Sequence, residues 1–183
     1  MKREEILEML IAQFLGEEIF IEEGAGDPPC VIPAEKLVEI AQFLRDEENI
    51  KMDYLLTESG FDTGEKLGVT YVMTSIPKGH QFSLKVYQPR DNPHVESVSA
   101  IWPAAIWYER EIYDLYGISF DKHPDLRRLM MPDDWVGHPL RKDYVQPTEY
   151  HGIPTSRPDP FALLVETGDK QTAPGESKTV TEG

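Results

Sequence analysis

The sequence predicts an α+β fold: a mostly antiparallel sheet with helices packed on it, followed by an extended, proline-rich C-terminal segment. Three observations lead to this. Two stretches with apolar residues at helical spacing come before a run of segments rich in β-branched and aromatic residues, and a third helical stretch comes after that run. The short Pro77-Lys78-Gly79-His80 connection suits an antiparallel hairpin, not a crossover. The regular strand–helix alternation of a doubly wound parallel sheet is missing.

In chain order, Ile6, Leu7, Leu10, Ile11 and Phe14 recur at helical spacing among Glu4, Glu5 and Glu8, with Gly16 at the expected stop. Gly24 to Pro29 reads as a turn, and Pro33 opens a second helix carrying Leu37, Val38, Ile40, Ala41 and Leu44. Strands are expected over 51–57, 67–76 and 81–88, with a short fourth near His94 to Val98. Pro103 and Gly117 then frame a third helix of roughly three to four turns. Beyond Gly117, prolines at 124, 132, 139, 147, 154, 158 and 160 recur too often for long helices or central strands. These readings divide the chain into an α+β domain over 1–120, an extended partner-wrapping segment over 121–166 and a disordered tail over 167–183, which lacks apolar content.

Composition narrows the function classes. The 183 residues hold 33 acidic against 18 basic side chains, a formal charge of −15 that repels phosphate backbones and anionic lipid, so nucleic acid is a poor partner. One cysteine, Cys30, can form no internal disulfide and supply no cysteine cluster, which fits a reducing compartment. No stretch approaches the roughly 20 apolar residues of a membrane helix, so membrane contact is expected to be indirect. The N-terminus lacks the character of a signal or transit peptide.

The third helix and the residues after it stand apart. From Trp107 to Tyr144 the chain reads WYEREIYDLYGISFDKHPDLRRLMMPDDWVGHPLRKDY, where aromatic residues and charges of both signs share faces, as they do on surfaces buried against another protein. Ile101, Ala105, Tyr108, Ile112 and Leu115 form one apolar stripe. The adjoining row Trp102, Ile106, Glu109, Tyr113 and Tyr116 is apolar except for Glu109, which makes the arc wider than one sheet can cover. Arg110 and Asp114, four apart, can pair on the remaining face, where such a pair is worth only about 0.3–0.5 kcal/mol. Glu109, Arg110, Glu111 and Asp114 therefore read as a buried or interfacial ion-pair network that orients docked surfaces, with a plain solvated face and a catalytic carboxylate set as the rival readings. Catalysis by Glu109 and Glu111 as an acid and base pair is disfavoured, because residues two apart on a helix point about 200° away from each other. His123, His138 and His151 have no partner at metal-ligand spacing. Arg127, Arg128, Arg141 and Lys142 form a basic cluster that reads as docking residues, since no glycine-rich phosphate loop accompanies it.

The same string closely resembles the signature of the C-subunit, or 30-kilodalton subunit, family of the proton-pumping NADH:quinone oxidoreductase, respiratory complex I. The upstream phrase KVYQPRDNPHVESV and the order of helices and hairpin resemble the family too, up to about Pro160. The resemblance implies a peripheral-arm subunit with no cofactor of its own, packed against the D-subunit, which helps form the quinone site, and against neighbouring peripheral-arm subunits. FMN, iron–sulfur clusters and quinone would then lie in other chains. It implies an assembly role for Glu109, Arg110, Glu111, Asp114, His123, Arg127 and Arg128, with Arg141 among the interface residues. It also implies a location on the cytoplasmic side of a bacterial inner membrane. The chain departs from longer relatives in having neither a mitochondrial presequence nor a fused D-subunit domain, and its tail past Phe161 does not match the motif. The equivalent subunit of a ferredoxin-driven or hydrogenase-linked membrane complex is an alternative that the signature does not separate.

Overall fold

A computed structural model describes residues 2–24 and 26–155 of the chain. They fall into two compact units divided between Tyr144 and Val145, past the boundary at 120 expected from the sequence. The larger unit is α+β. Its helix α1 (Arg3–Gln13) buries Ile6 and Leu10, and Gly16 ends the turn behind it with φ +92°. Two-residue strands β1 (Phe20–Ile21) and β2 (Cys30–Val31) flank the expected turn. Pro33 then leads through a single 3-10 turn into α2 (Leu37–Asp46), which buries Leu37, Ile40, Ala41 and Leu44 along one stripe.

The long strands are β3 (Tyr54–Asp62), β4 (Lys66–Ser75) and β5 (His80–Pro89). They pair antiparallel, and the sheet order is β1-β2-β5-β4-β3. β2 joins β5 in parallel, so the sheet is mixed although mostly antiparallel. The first long strand, expected over 51–57, instead begins at Tyr54 and runs on to Asp62. Glu58, Ser59, Gly60 and Asp62 have low strand propensity, and pairing with β4 overrides that local preference. The short strand at His94–Glu96 (β6) is present, and it pairs in parallel with β7 (Ser119–Asp121) in a separate two-stranded sheet.

Alternation of side chains gives the five-stranded sheet an inner face. Leu55, Met73 and Phe82 align across it, as do Gly60, Val69 and Val86, and the buried side chains of α1 and α2 join the same core. The third helix, α3 (Ala105–Tyr116), lies against β3, and Trp102, Ala105 and Ile112 complete that core. On the opposite face Phe61 and Tyr87 meet edge to face at 5.3 Å between ring centres, with the Lys85 ammonium over both rings and paired to Glu22 at 2.7 Å. Gly68 lies between those rings in register. The smaller unit is described over 145–155 and forms a hairpin of β8 (Glu149–Tyr150) and β9 (Ile153–Pro154). The expected tail over 167–183 lies outside the described residues.

A Cβ on Gly68 would overlap both the Phe61 ring and the Val86 carbonyl, and a backbone carbonyl cannot rotate away. Gly68→Ala is expected to destabilise the fold by about 1–3 kcal/mol, read as a lower urea midpoint at unchanged m-value.

Candidate functional site

α3 is a short helix whose buried polar groups are nearly all committed. Its entry is held from inside. Glu109 has no exposed surface; its Oε1 accepts the Val98 N–H at 2.7 Å and its Oε2 accepts the Ser97 hydroxyl at 2.6 Å, which fixes the turn that leads into the helix. The His123 Nε2 lies 3.7 Å from the same carboxylate, its side chain fully buried. The Asp125 N–H donates to His123 Nδ1 at 3.0 Å, so the ring proton sits on Nε2 and points to the Ile106 carbonyl at 3.2 Å. Glu58 on β3 and Tyr71 on β4 are register partners on the inner face, beneath the helix. Neither Glu58 oxygen makes a hydrogen bond of normal geometry, and the one polar group beside it is the Tyr71 hydroxyl, whose contact acts to lower the carboxyl.

Two buried carboxyls thus share one apolar layer with no cation between them. Burial raises the Glu58 carboxyl well above its ordinary range, and the charge of Glu109 adds to the effect. Glu109 is pushed up to about 7 by burial, against the downward pull of Ser97 and Val98.

The helix exit is held by the segment beyond it. Asp114, also without exposed surface, receives the Arg128 guanidinium on Oδ1 at 2.7 Å. Three consecutive N–H groups, from Leu129, Met130 and Met131, reach its Oδ2 at 3.0, 2.7 and 2.8 Å. Burial alone would raise this carboxyl, but the N–H groups and Arg128 together hold it below the usual range. The last carbonyls of α3, which have no partner within the helix, are each taken: Asp114 O by His138 Nδ1, Leu115 O by the Leu140 N–H, and Tyr116 O and Gly117 O by Arg141. Cationic Arg128 and Arg141 at this end also complement the helix dipole. Gly117 turns left-handed with φ +69°, and a Cβ there would run into the His138 ring and the Arg141 guanidinium. Residues 127–141 therefore form a clasp around α3. Asp62 on β3 anchors its end, accepting the Lys142 N–H at 2.8 Å and pairing with Arg90, which also pairs with Asp143.

The expected Arg110–Asp114 pair does not form. Arg110 is buried, donates instead to the carbonyls of Arg127 and Arg128 at 3.2 and 3.1 Å, and stacks over the Trp107 ring at 5.1 Å. Asp114 prefers partners that the clasp brings from about fifteen residues on, a pairing that helical spacing cannot reveal. Arg127 is exposed and pairs with Asp125 at 2.9 Å, while Glu111 is exposed and has no ion pair among the described residues. Glu109 and Glu111 face apart, one sealed and one in solvent, so they cannot share a reacting centre. Among the described residues no group of three or more His, Cys, Asp or Glu side chains could hold a metal ion, and no helix is long and apolar enough to cross a membrane. Glu58, Asp62, Arg90 and Ser97 carry no local signal that singles them out in the sequence. Only the tertiary pairing assigns them a role.

Fold and clasp together define an α+β module whose buried charged side chains on α3 find their partners within the chain. A profile of the respiratory-chain NADH dehydrogenase 30 Kd subunit matches residues 30–150. The NADH-quinone oxidoreductase C-subunit of Mycolicibacterium gilvum (strain PYR-GCK) is 40% identical over 162 residues, covering 81% of this chain and 72% of that one. The C-subunit of Chloroherpeton thalassium (strain ATCC 35110 / GB-78) is 47% identical over 116 residues, 62% of this chain and 48% of that one. The chain thus spans between about half and three-quarters of the length of these relatives. Among solved structures, the trypsin-resistant fragment (1-134) of Nqo5 superposes with a TM-score of 0.56 at 32% identity, covering 69% of this chain and 100% of the fragment. A chain of the membrane-bound sulfane sulfur reductase, an archaeal respiratory membrane complex, shares the fold with a TM-score of 0.61 at 21% identity, over 98% of both chains. The chain belongs to the 30-kilodalton subunit family of the respiratory-chain NADH dehydrogenase.

Asp114→Ala strips Arg128 and three N–H groups of their shared acceptor and should cost about 3–5 kcal/mol, seen as a large drop in urea midpoint. Between pH 4.5 and about 7 the folded chain keeps a proton on Glu109 that the unfolded chain has released. The contribution of Glu109 to stability should therefore fall as pH rises through that window, by at most about 3 kcal/mol, and level off above it. The difference in urea midpoint between the unaltered chain and Glu109→Gln, compared at pH 5 and 7.5, measures that contribution.

Proposed function

We propose that this chain is the C-subunit of a proton-pumping NADH:quinone oxidoreductase, a peripheral-arm subunit that performs no chemistry of its own and docks on the D-subunit, which helps form the quinone site. Electrons travel from NADH to quinone through other chains, which carry the FMN and iron–sulfur clusters. The subunit sits on the cytoplasmic side of a bacterial inner membrane and reaches that membrane only through its partners. Glu109, Arg110, Asp114, His123, Arg128 and Arg141 serve assembly by holding α3 and the clasp in one shape, while Glu111 and Arg127 face outward to the neighbours.

Membership of the family supports this reading. The observation that carries it is the outer surface of α3 and the clasp, where Trp107, Met130, Val136 and Leu140 are between 49% and 77% exposed in a chain with net charge −15. Large apolar side chains exposed along α3 and the clasp are of the kind that another protein covers. A rigid clasp also reduces the ordering cost of docking. The likeness to the archaeal sulfane sulfur reductase chain concerns the backbone alone and does not favour a ferredoxin-driven or hydrogenase-linked parent complex.

A tagged copy expressed in its native membranes should bring down the D-subunit and other peripheral-arm subunits in equal amounts, while the isolated chain carries no stoichiometric flavin or iron and shows no turnover. Met130→Asp combined with Val136→Asp, both on the exposed surface, should cut that recovery by at least about tenfold at unchanged melting temperature. Recovery of the chain without neighbours, or with a bound flavin, would overturn the reading.

A further inference from the structure

Where α3 crosses the inner face of β3, close to Gly60, a cavity of about 120 Å³ opens between helix, strand and clasp, with Glu58, Gly60, Glu111, Leu115, Tyr116 and Leu140 among its lining residues. It is far below the roughly 300–1,000 Å³ of a cofactor or metabolite site, and it has room for the end of one side chain. Its charge is one-sided. Glu58 is 4% exposed, beside the Tyr71 hydroxyl and no cation, with neither oxygen in a hydrogen bond of normal geometry, and Glu111 stands at the surface with no ion pair among the described residues. The cations at this end of α3 are already engaged, Arg141 with the Tyr116 and Gly117 carbonyls and Arg90 with Asp62 and Asp143. Leu115, Tyr116 and Leu140 supply apolar walls, and the bare backbone of Gly60 keeps the space open, since a Cβ there would lie 2.6 Å from the Tyr116 ring.

We propose that this cavity receives the end of a lysine or arginine side chain from a partner chain, its aliphatic stem against Leu115, Tyr116 and Leu140 and its charge facing Glu111 and Glu58. The proposal rests on the assembly reading and names the chemistry of one contact within it. A metal ion is a poor occupant, because a hard cation wants six or more oxygens and the walls offer hydrocarbon. A long basic side chain suits both halves of the lining, with the stem on carbon and the head on carboxylate. Burial holds the Glu58 carboxyl in its neutral form, and an arriving cation would favour its ionisation. The contact would then give register and specificity to docking that the exposed apolar residues drive.

Propylguanidinium and its uncharged counterpart propylurea, titrated into the isotope-labelled full chain, test the cavity without any partner present. The amide signals of Ser59, Gly60 and Ile112 should shift saturably with propylguanidinium, with a dissociation constant of roughly millimolar order, and stay in place with propylurea. Glu111→Gln should weaken the response by about tenfold. No response, an equal response to both probes, or a response that Glu111→Gln leaves unchanged overturns the proposal. In native membranes, Glu111→Lys, which lies on the surface and should keep the melting temperature, is expected to lower recovery with neighbouring subunits by at least about tenfold. Undiminished recovery of that variant overturns the partner contact. Failure of the unaltered chain to recover any neighbour would instead strike at the assembly reading, and the titration would still decide whether the cavity takes a cation.

Discussion

Asp114 holds the second half of this molecule in place. Its carboxylate is sealed from water yet accepts four bonds, one from a guanidinium and three from successive backbone N–H groups. A buried charge is tolerable only when it is this fully solvated by protein. The arrangement is reciprocal: the loop over 129–131 has no regular secondary structure to absorb its N–H groups, and the carboxylate supplies an acceptor in its place. Without Asp114, Arg128 would lose its anchor, and the clasp that closes the end of α3 would lose its shape.

From that anchor the other polar contacts line up along the helix. Arg110 holds the carbonyls at the start of the clasp, His138 and Arg141 take the last carbonyls of α3, and Glu109 secures the entry turn from the opposite end. A helix held at both ends in this way keeps its outer row in one orientation. Glu58, buried near Glu109, is the exception to this satisfaction. The two acids share a layer with no cation, which ties the seating of α3 on the sheet to proton binding.

Much of the fold could be read from the chain because its signals are local. Pro33, Pro103, Gly16 and Gly117 sit at helix ends, and the apolar stripes of α2 and α3 follow the helical period, whereas α1 buries Ile6 and Leu10 and leaves Ile11 of its expected stripe exposed. The β4–β5 hairpin follows from alternation and its short turn. The parallel joining of β2 to β5 was not legible, since a two-residue strand has no periodicity to detect. The site shows the sharper limit. Arg110 and Asp114 lie four apart on one helix, and spacing alone pairs them, but each is bound by residues brought back from beyond the helix. A string in which aromatics and charges share faces has the same appearance whether a partner chain or the chain's own return segment covers it. Here Arg110 and Asp114 meet the return segment and Glu109 the turn before the helix, while the exposed residues mix large apolar side chains such as Trp107 and Met130 with charges such as Glu111 and Arg127.

Cys30 has a practical consequence. Its thiol lies within the core with no exposed surface, and burial pushes it up to about 12. At neutral pH it is therefore neither ionised nor reachable, and thiol reagents act on thiolates. A fluorophore or spin label attached through a cysteine introduced on the outer row of α3 would report from that one position, with no need to remove the native sulfur first.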